Sequence, residues 1–138
     1  MGFVLDGRLA ASSHLIATED GIQIRLADDA RYAWLLLVPE YEDISELHEL
    51  DDAGRRALLD LANELGLWMK DRFTADKINI AAIGNVVAQL HLHIVARRRD
   101  DDAWPAPIWG HGDPQSRPEE TRIALMSEIA LFLQTRRP

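Results

Sequence analysis

The most informative segment of the chain is Gln89-Leu90-His91-Leu92-His93-Ile94-Val95, in which polar and apolar residues alternate. Successive side chains of a β-strand point to opposite faces of the sheet. The alternation therefore predicts a strand over residues 86–96, with an apolar face and a second face that carries Gln89, His91 and His93. Burial explains the apolar face, but it gives no reason for two imidazoles on the other. The two histidines are thus the first candidates for functional residues.

Three interpretations of these histidines are open at this point. A solvated strand face would carry both by chance, and a chain with only five histidines makes that coincidence uncommon. Two imidazoles at positions i and i+2 can chelate a metal ion such as zinc, although His14, His48 and His111 show no spacing that predicts a third ligand. Alternatively, an imidazole held by a carbonyl at one nitrogen can attack an electrophile with the other.

The chain before this segment predicts a hairpin and a further strand. Residues 22–26 alternate, residues 34–38 form an apolar run that ends at Pro39, and the polar pair Asp28-Asp29 lies between them. Residues 78–83 are typical of another strand, which the turn pair Gly84-Asn85 separates from the histidine strand.

Two helices are predicted from apolar spacings of three and four residues. The first ends near Phe73, and Asp51 or Asp52 can cap its first turn. The second covers about residues 117–136, where Ser116 and Glu119 have the spacing of a capping box. The order of strands and helices favours an α+β fold with a mainly antiparallel sheet of about five strands and two helices.

Composition limits the class of protein. The chain has 138 residues, of which 47% are hydrophobic and 28% charged, which is typical of a single globular domain over residues 1–138. It has no cysteine, and its formal charge of −8 argues against nucleic-acid polymers and anionic membranes as partners. No apolar run approaches the ~20 residues of a membrane span. We therefore expect a cytoplasmic protein.

The histidine segment resembles the histidine triad (HIT) motif, in which three histidines alternate with hydrophobic residues, with Gln89 at the first histidine position. Residues 35–39 resemble the family's strand that ends in proline, and residues 79–85 resemble the strand and turn before the triad. Trp104-Pro105 resembles a loop that follows the triad in some branches. The resemblance covers about residues 22–109.

This resemblance implies a HIT-like fold, usually a homodimer, that binds nucleotides and hydrolyses or transfers them at the α-phosphate through a nucleotidyl-histidine intermediate. Carried over, His91 is the nucleophile and His93 holds the phosphate, without a metal or other cofactor. Gln89 takes the remaining catalytic position, where an amide keeps a hydrogen bond but cannot donate a proton as an imidazolium does.

The resemblance also implies a set of nucleotide-binding residues. Asn85 corresponds to a residue that contacts phosphate, Asp28 lies near the residue that holds the ribose, and Asn79 and Trp104 complete the predicted set. Two alternative functions remain: a catalytically weak nucleotide-binding module of the same fold, and a metal-dependent hydrolase that uses His91 and His93 as ligands.

Overall fold

The computed structural model describes residues 2–136 and contains a five-stranded antiparallel sheet of strand order β1-β2-β3-β5-β4. The strands are β1 (Ser13–Glu19), β2 (Ile22–Ala27), β3 (Ala33–Pro39), β4 (Lys77–Ala81) and β5 (Leu92–Arg97). The helices are α1 (Gly7–Ser12), α2 (Asp52–Arg72) and α3 (Glu119–Thr135), with a 3₁₀ turn at Leu47–Glu49. The predicted α+β class with an antiparallel sheet is confirmed.

The predicted hairpin is present, because β2 pairs with β3 from Ile22 opposite Pro39 to Leu26 opposite Leu35. The sequence analysis missed β1 and α1, which precede it. The pairing of β1 with β2 shifts register between Leu15 and Ala17. Such a bulge interrupts the two-residue period, and β1 consequently lacks the regular alternation that identified β2.

The two long helices form where the sequence predicts them, but only α2 begins at a predicted cap. Asp51 caps α2, and its carboxylate accepts a hydrogen bond from the Gly54 amide at 2.7 Å. The predicted capping box of α3 is wrong, since Pro118 is the N-cap and no side chain caps it. The Ser116 hydroxyl instead donates to Asp28 Oδ2 at 3.2 Å, across the molecule.

The predicted strand over residues 86–96 is too long. Strand β5 begins at Leu92, and β4 ends at Ala81 rather than at residue 83. Residues 84–91 form a bent segment outside the sheet: Gly84 has a φ of 65°, and the Leu90 amide donates to the Ile44 carbonyl at 2.9 Å. Val86 belongs to the predicted apolar face but is 78% exposed, so the prediction is wrong at this residue. Hydrogen bonds from distant parts of the chain thus override the local alternation.

The two faces of the sheet bury different sets of residues. Helices α2 and α3 cover one face and enclose the main core, which includes Leu35, Leu65, Ile94 and Ile129. Two smaller clusters lie on the other face. In the first, Leu9 of α1 packs with residues of β3, and in the second, the loop between β5 and α3 packs on Val95. His93 belongs to this second face, which positions the site. Within residues 2–136, no helix is long and apolar enough to cross a membrane.

Candidate active site

A cleft of about 600 Å³ lies on the sheet face opposite α2 and α3. Four parts of the chain form its walls: α1, the β2–β3 turn, the bent segment before β5, and the loop before α3. Both His91 and His93 line this cleft, although each is only 6% exposed. The interpretation of a solvated strand face is therefore wrong. The apolar lining includes the side chains Leu9, Trp34, Leu36, Ile83, Val87, Ile108 and Trp109.

The position of His91 defines which of its nitrogens carries a proton. His91 Nδ1 lies 2.7 Å from the backbone carbonyl oxygen of Gln89. A carbonyl oxygen only accepts hydrogen bonds, so Nδ1 carries the hydrogen and donates it. In the neutral ring, Nε2 then keeps its lone pair. This is the tautomer that a nucleophilic imidazole requires.

His93 has the opposite tautomer. The Trp34 indole nitrogen Nε1 lies 3.1 Å from His93 Nδ1. An indole N–H only donates, so Nδ1 must be the acceptor and the ring hydrogen must sit on Nε2. Burial and, as the smaller cause, the neighbouring His91 lower the pKa of His93 from 6.5 to about 3. His93 is therefore a neutral side chain that can donate from Nε2.

The two rings form a compact pair. Their centroids are 4.7 Å apart and the rings meet edge to face, and the centroid of the Trp109 ring lies 5.1 Å from that of His93. One imidazole thus offers a lone pair beside a second that offers an N–H. No group of three or more His, Cys, Asp or Glu side chains in residues 2–136 is arranged to hold a metal ion.

Two of the four predicted nucleotide-binding residues lie at the cleft. Asn85 and Asp28 both line it. The Asp28 carboxylate accepts hydrogen bonds from the Ser116 hydroxyl and the Arg117 amide, each at 3.2 Å. Asp28 thereby ties the β2–β3 turn to the loop before α3 across the mouth of the cleft.

The other two predicted residues, Asn79 and Trp104, are not among the residues that line the cleft. Both contact Arg97, which is only 2% exposed. Asn79 Oδ1 accepts from Arg97 Nη1 at 2.9 Å, and the Arg97 guanidinium lies over the Trp104 ring at 5.5 Å. Arg97 is also paired with Asp101 at 2.7 Å. These residues form a buried ionic cluster at the end of β5, and Trp109 is the tryptophan of this loop that reaches the cleft.

The side chain of Gln89 does not line the cleft either, although its carbonyl holds His91. Its amide oxygen accepts from the Asp6 amide at 2.8 Å, and its amide nitrogen donates to the Val4 carbonyl at 2.8 Å. The late start of β5 explains this placement, because residue 89 lies outside the strand and does not follow its alternation.

Sequence reasoning missed two features of the site. The first is Trp34, whose indole nitrogen donates a hydrogen bond to His93; the local sequence carries no signal for that bond. The second feature is the buried carboxylate of Asp29, whose hydrogen bonds with Arg31 keep its pKa low against the opposing effect of burial. Arg31 in turn donates to the His111 carbonyl at 2.7 Å, which ties the β2–β3 turn to the loop before α3. The spacing of Asp29 and Arg31 in a turn was the available signal.

Comparison with known proteins agrees with this geometry. The HIT domain family matches residues 8–100. Among solved structures, the chain is similar to a histidine triad protein from Sinorhizobium meliloti, with 41% identity, coverage of 92% of this chain and 94% of that chain, and a TM-score of 0.89. A histidine triad protein from Bradyrhizobium japonicum shows 35% identity, coverage of 92% and 95%, and a TM-score of 0.89.

A third structure, a histidine triad protein from Marinobacter aquaeolei, shows 35% identity, coverage of 98% of both chains and a TM-score of 0.94. No curated protein matches the chain. The family match and the three structures show that this chain belongs to the histidine triad family. The resemblance drawn from the segment around His91 and His93 is thereby confirmed.

Proposed function

We propose that the protein is a nucleotide hydrolase or nucleotidyl transferase in which His91 attacks the α-phosphorus of a nucleoside phosphate derivative. The observation that carries this proposal is the pair of tautomers. The Gln89 carbonyl keeps the lone pair on Nε2 of His91, while Trp34 keeps the hydrogen on Nε2 of His93. Phosphoryl transfer depends mainly on positioning and on stabilising charge, and these two rings supply both.

The proposed reaction has two displacements. His91 Nε2 forms a bond to the α-phosphorus, and the bond to the leaving group breaks with its electron pair. The imidazole ring becomes positively charged, and the hydrogen bond from Nδ1 to the Gln89 carbonyl stabilises that charge. His93 donates from Nε2 to a non-bridging phosphate oxygen. Water or another acceptor then displaces His91, loses a proton, and regenerates the neutral ring.

The lining of the cleft supports a nucleoside with a single phosphate at the reaction centre. Its apolar side chains suit the faces of a nucleobase. Among the described residues that line the cleft, Arg31 is the sole lysine or arginine, and it is paired with Asp29 at 2.9 Å. A polyphosphate chain would meet little uncompensated positive charge there. We therefore place phosphoramidates and phosphate esters of nucleosides ahead of dinucleoside polyphosphates.

The direct test is a mass spectrum taken within seconds of mixing the protein with adenosine or guanosine 5′-phosphoramidate. We expect a covalent nucleotidyl adduct in the wild-type protein and none in His91→Ala. The His91→Ala protein should keep most of its nucleotide affinity, because the bond to phosphorus is used only after binding. Near-normal turnover by His91→Ala would refute the assignment. Activity that disappears with a strong chelator would support the metal-dependent hydrolase instead.

A catalytically weak nucleotide-binding module is the second candidate. The observation that favours it is Gln89, which has no acidic proton and whose amide is hydrogen-bonded to Val4 and Asp6. Proton donation to a leaving group typically contributes ~10²–10⁴ in rate. Stoichiometric nucleotide binding without an adduct, and without turnover of any phosphoramidate or ester, would identify such a module.

We also propose that the protein forms a homodimer through the β4 edge of the sheet. Strand β4 lies at the end of the strand order, and Ile80 on it is 43% exposed. Helix α2 packs against β4, and Leu67 on this helix is 74% exposed. An uncovered strand edge next to exposed apolar side chains favours association. A second copy would cover both.

A further inference from the structure

Gln89 makes two hydrogen bonds that the proposed reaction does not use. Its side-chain oxygen accepts from the Asp6 amide, and its side-chain nitrogen donates to the Val4 carbonyl, each at 2.8 Å. A primary amide presents an acceptor and a donor side by side. These two atoms match a carbonyl and an amide N–H two residues apart on one extended segment. Gln89 thus binds residues 4–6 in the manner of a neighbouring strand.

The segment of residues 4–6 leads directly into a wall of the cleft. Asp6 caps α1, accepting a hydrogen bond from the Arg8 amide at 2.8 Å. Arg8 donates to the Val86 carbonyl at 3.0 Å, which ties α1 to the bent segment. Leu9, Ala11 and Ser12 of α1 then line the cleft. The attachment at residue 89 is thus one of the contacts that hold this wall in place.

The backbone of Gln89 acts on the other side of the site, because its carbonyl holds His91 Nδ1 at 2.7 Å. We propose that Gln89 is a positioning residue that fastens α1 to the segment bearing His91, so that the nucleotide-binding wall and the nucleophile keep one relative position. Its side chain acts on binding of the nucleotide and not on protonation of the leaving group. The catalytic part of this inference rests on the proposed function; the attachment of residues 4–6 does not.

An imidazole at position 89 cannot replace the amide in this role. The two ring nitrogens of histidine point in divergent directions, and in the neutral ring one donates and the other accepts. They cannot both meet the parallel Val4 carbonyl and Asp6 amide. Gln89→His is therefore expected to release residues 4–6, as the apolar isostere Gln89→Met does.

The first measurement uses hydrogen exchange of the nucleotide-free protein. Gln89→Met should speed exchange at the Asp6 amide by about fivefold, as expected for the loss of about one net hydrogen bond. Gln89→Glu keeps the acceptor for Asp6 but replaces the donor to the Val4 carbonyl with an oxygen, so exchange should again be faster than in the wild type. It also serves as the test if Gln89→Met does not fold. Gln134→Met, on the exposed side of α3, is the matched control. Unchanged exchange in the folded Gln89 variants would overturn the proposal.

The second measurement separates binding from chemistry. With adenosine and guanosine 5′-phosphoramidates, Gln89→Met and Gln89→His should each raise KM by about fivefold, a larger change than the fall in kcat. A fall in kcat at constant KM, or a faster reaction of Gln89→His with basic leaving groups, would overturn the proposal. If the wild-type protein turns over neither compound, the proposed function fails. The inference is then decided by exchange and by the dissociation constants of adenosine and guanosine 5′-monophosphate, which should rise by the same factor.

Discussion

The buried neutral imidazole of His93 should make the stability of the fold depend on pH. Its pKa is lowered from 6.5 to about 3, first by burial and then by His91. Between these values the unfolded chain binds a proton at this residue that the folded chain does not bind, so stability is full above pH 6.5 and falls as the pH is lowered. At pH 5, about 1.5 units below 6.5, the loss amounts to about 2 kcal/mol at ~1.36 kcal/mol per unit.

The assay is urea unfolding of the wild-type protein and of His93→Asn at pH 7 and pH 5. Asparagine keeps an acceptor for the Trp34 indole but cannot be protonated in this range, so the variant should lose about 2 kcal/mol less than wild type over the interval. His48→Asn, at an exposed histidine, is the control and should keep the wild-type loss. Asp29 and Asp101 also have lowered pKa values, but their ordinary value is 3.8, below the pH interval of the assay. Both residues are present in all three proteins, so they do not alter the comparison. Equal losses in wild type and His93→Asn would refute the reasoning.

Three other changes test the site and the assembly. Trp34→Phe removes the bond that selects the His93 tautomer, so kcat for a phosphoramidate should fall by about fivefold with the fold intact; unchanged kcat by steady-state assay would contradict this role. Asp28→Ala should abolish any preference for ribonucleotides over 2′-deoxyribonucleotides, measured as the ratio of their KM values, and a preserved ratio would place the ribose elsewhere. Sedimentation should give twice the 15.6 kDa chain mass for wild type and the single mass for Ile80→Lys, whereas a wild-type monomer would exclude the dimer.

Local sequence was sufficient where a regular period directs one face of an element to the core. Strand β2 and helix α2 follow from such a pattern, β3 follows from a continuous apolar run, and the terminal helix needed only a correction of its start. The same local reading identified His91 and His93, because two imidazoles in an otherwise apolar alternation have no packing explanation. These features depend on residues within a few positions of each other.

The remaining features depend on contacts between residues that lie far apart in the sequence. The Ile44 carbonyl accepts a hydrogen bond from the Leu90 amide outside the sheet. Strand β5 therefore starts late, and the alternation through residue 89 does not hold. Gln89 is bonded to a segment more than 80 positions away, and Trp34 sets the tautomer of His93 from another strand. The sequence alone identified His91 and His93 as candidate functional side chains. Only the folded chain determined their protonation and partners, because burial and hydrogen bonding are properties of neighbours that the linear order does not place side by side.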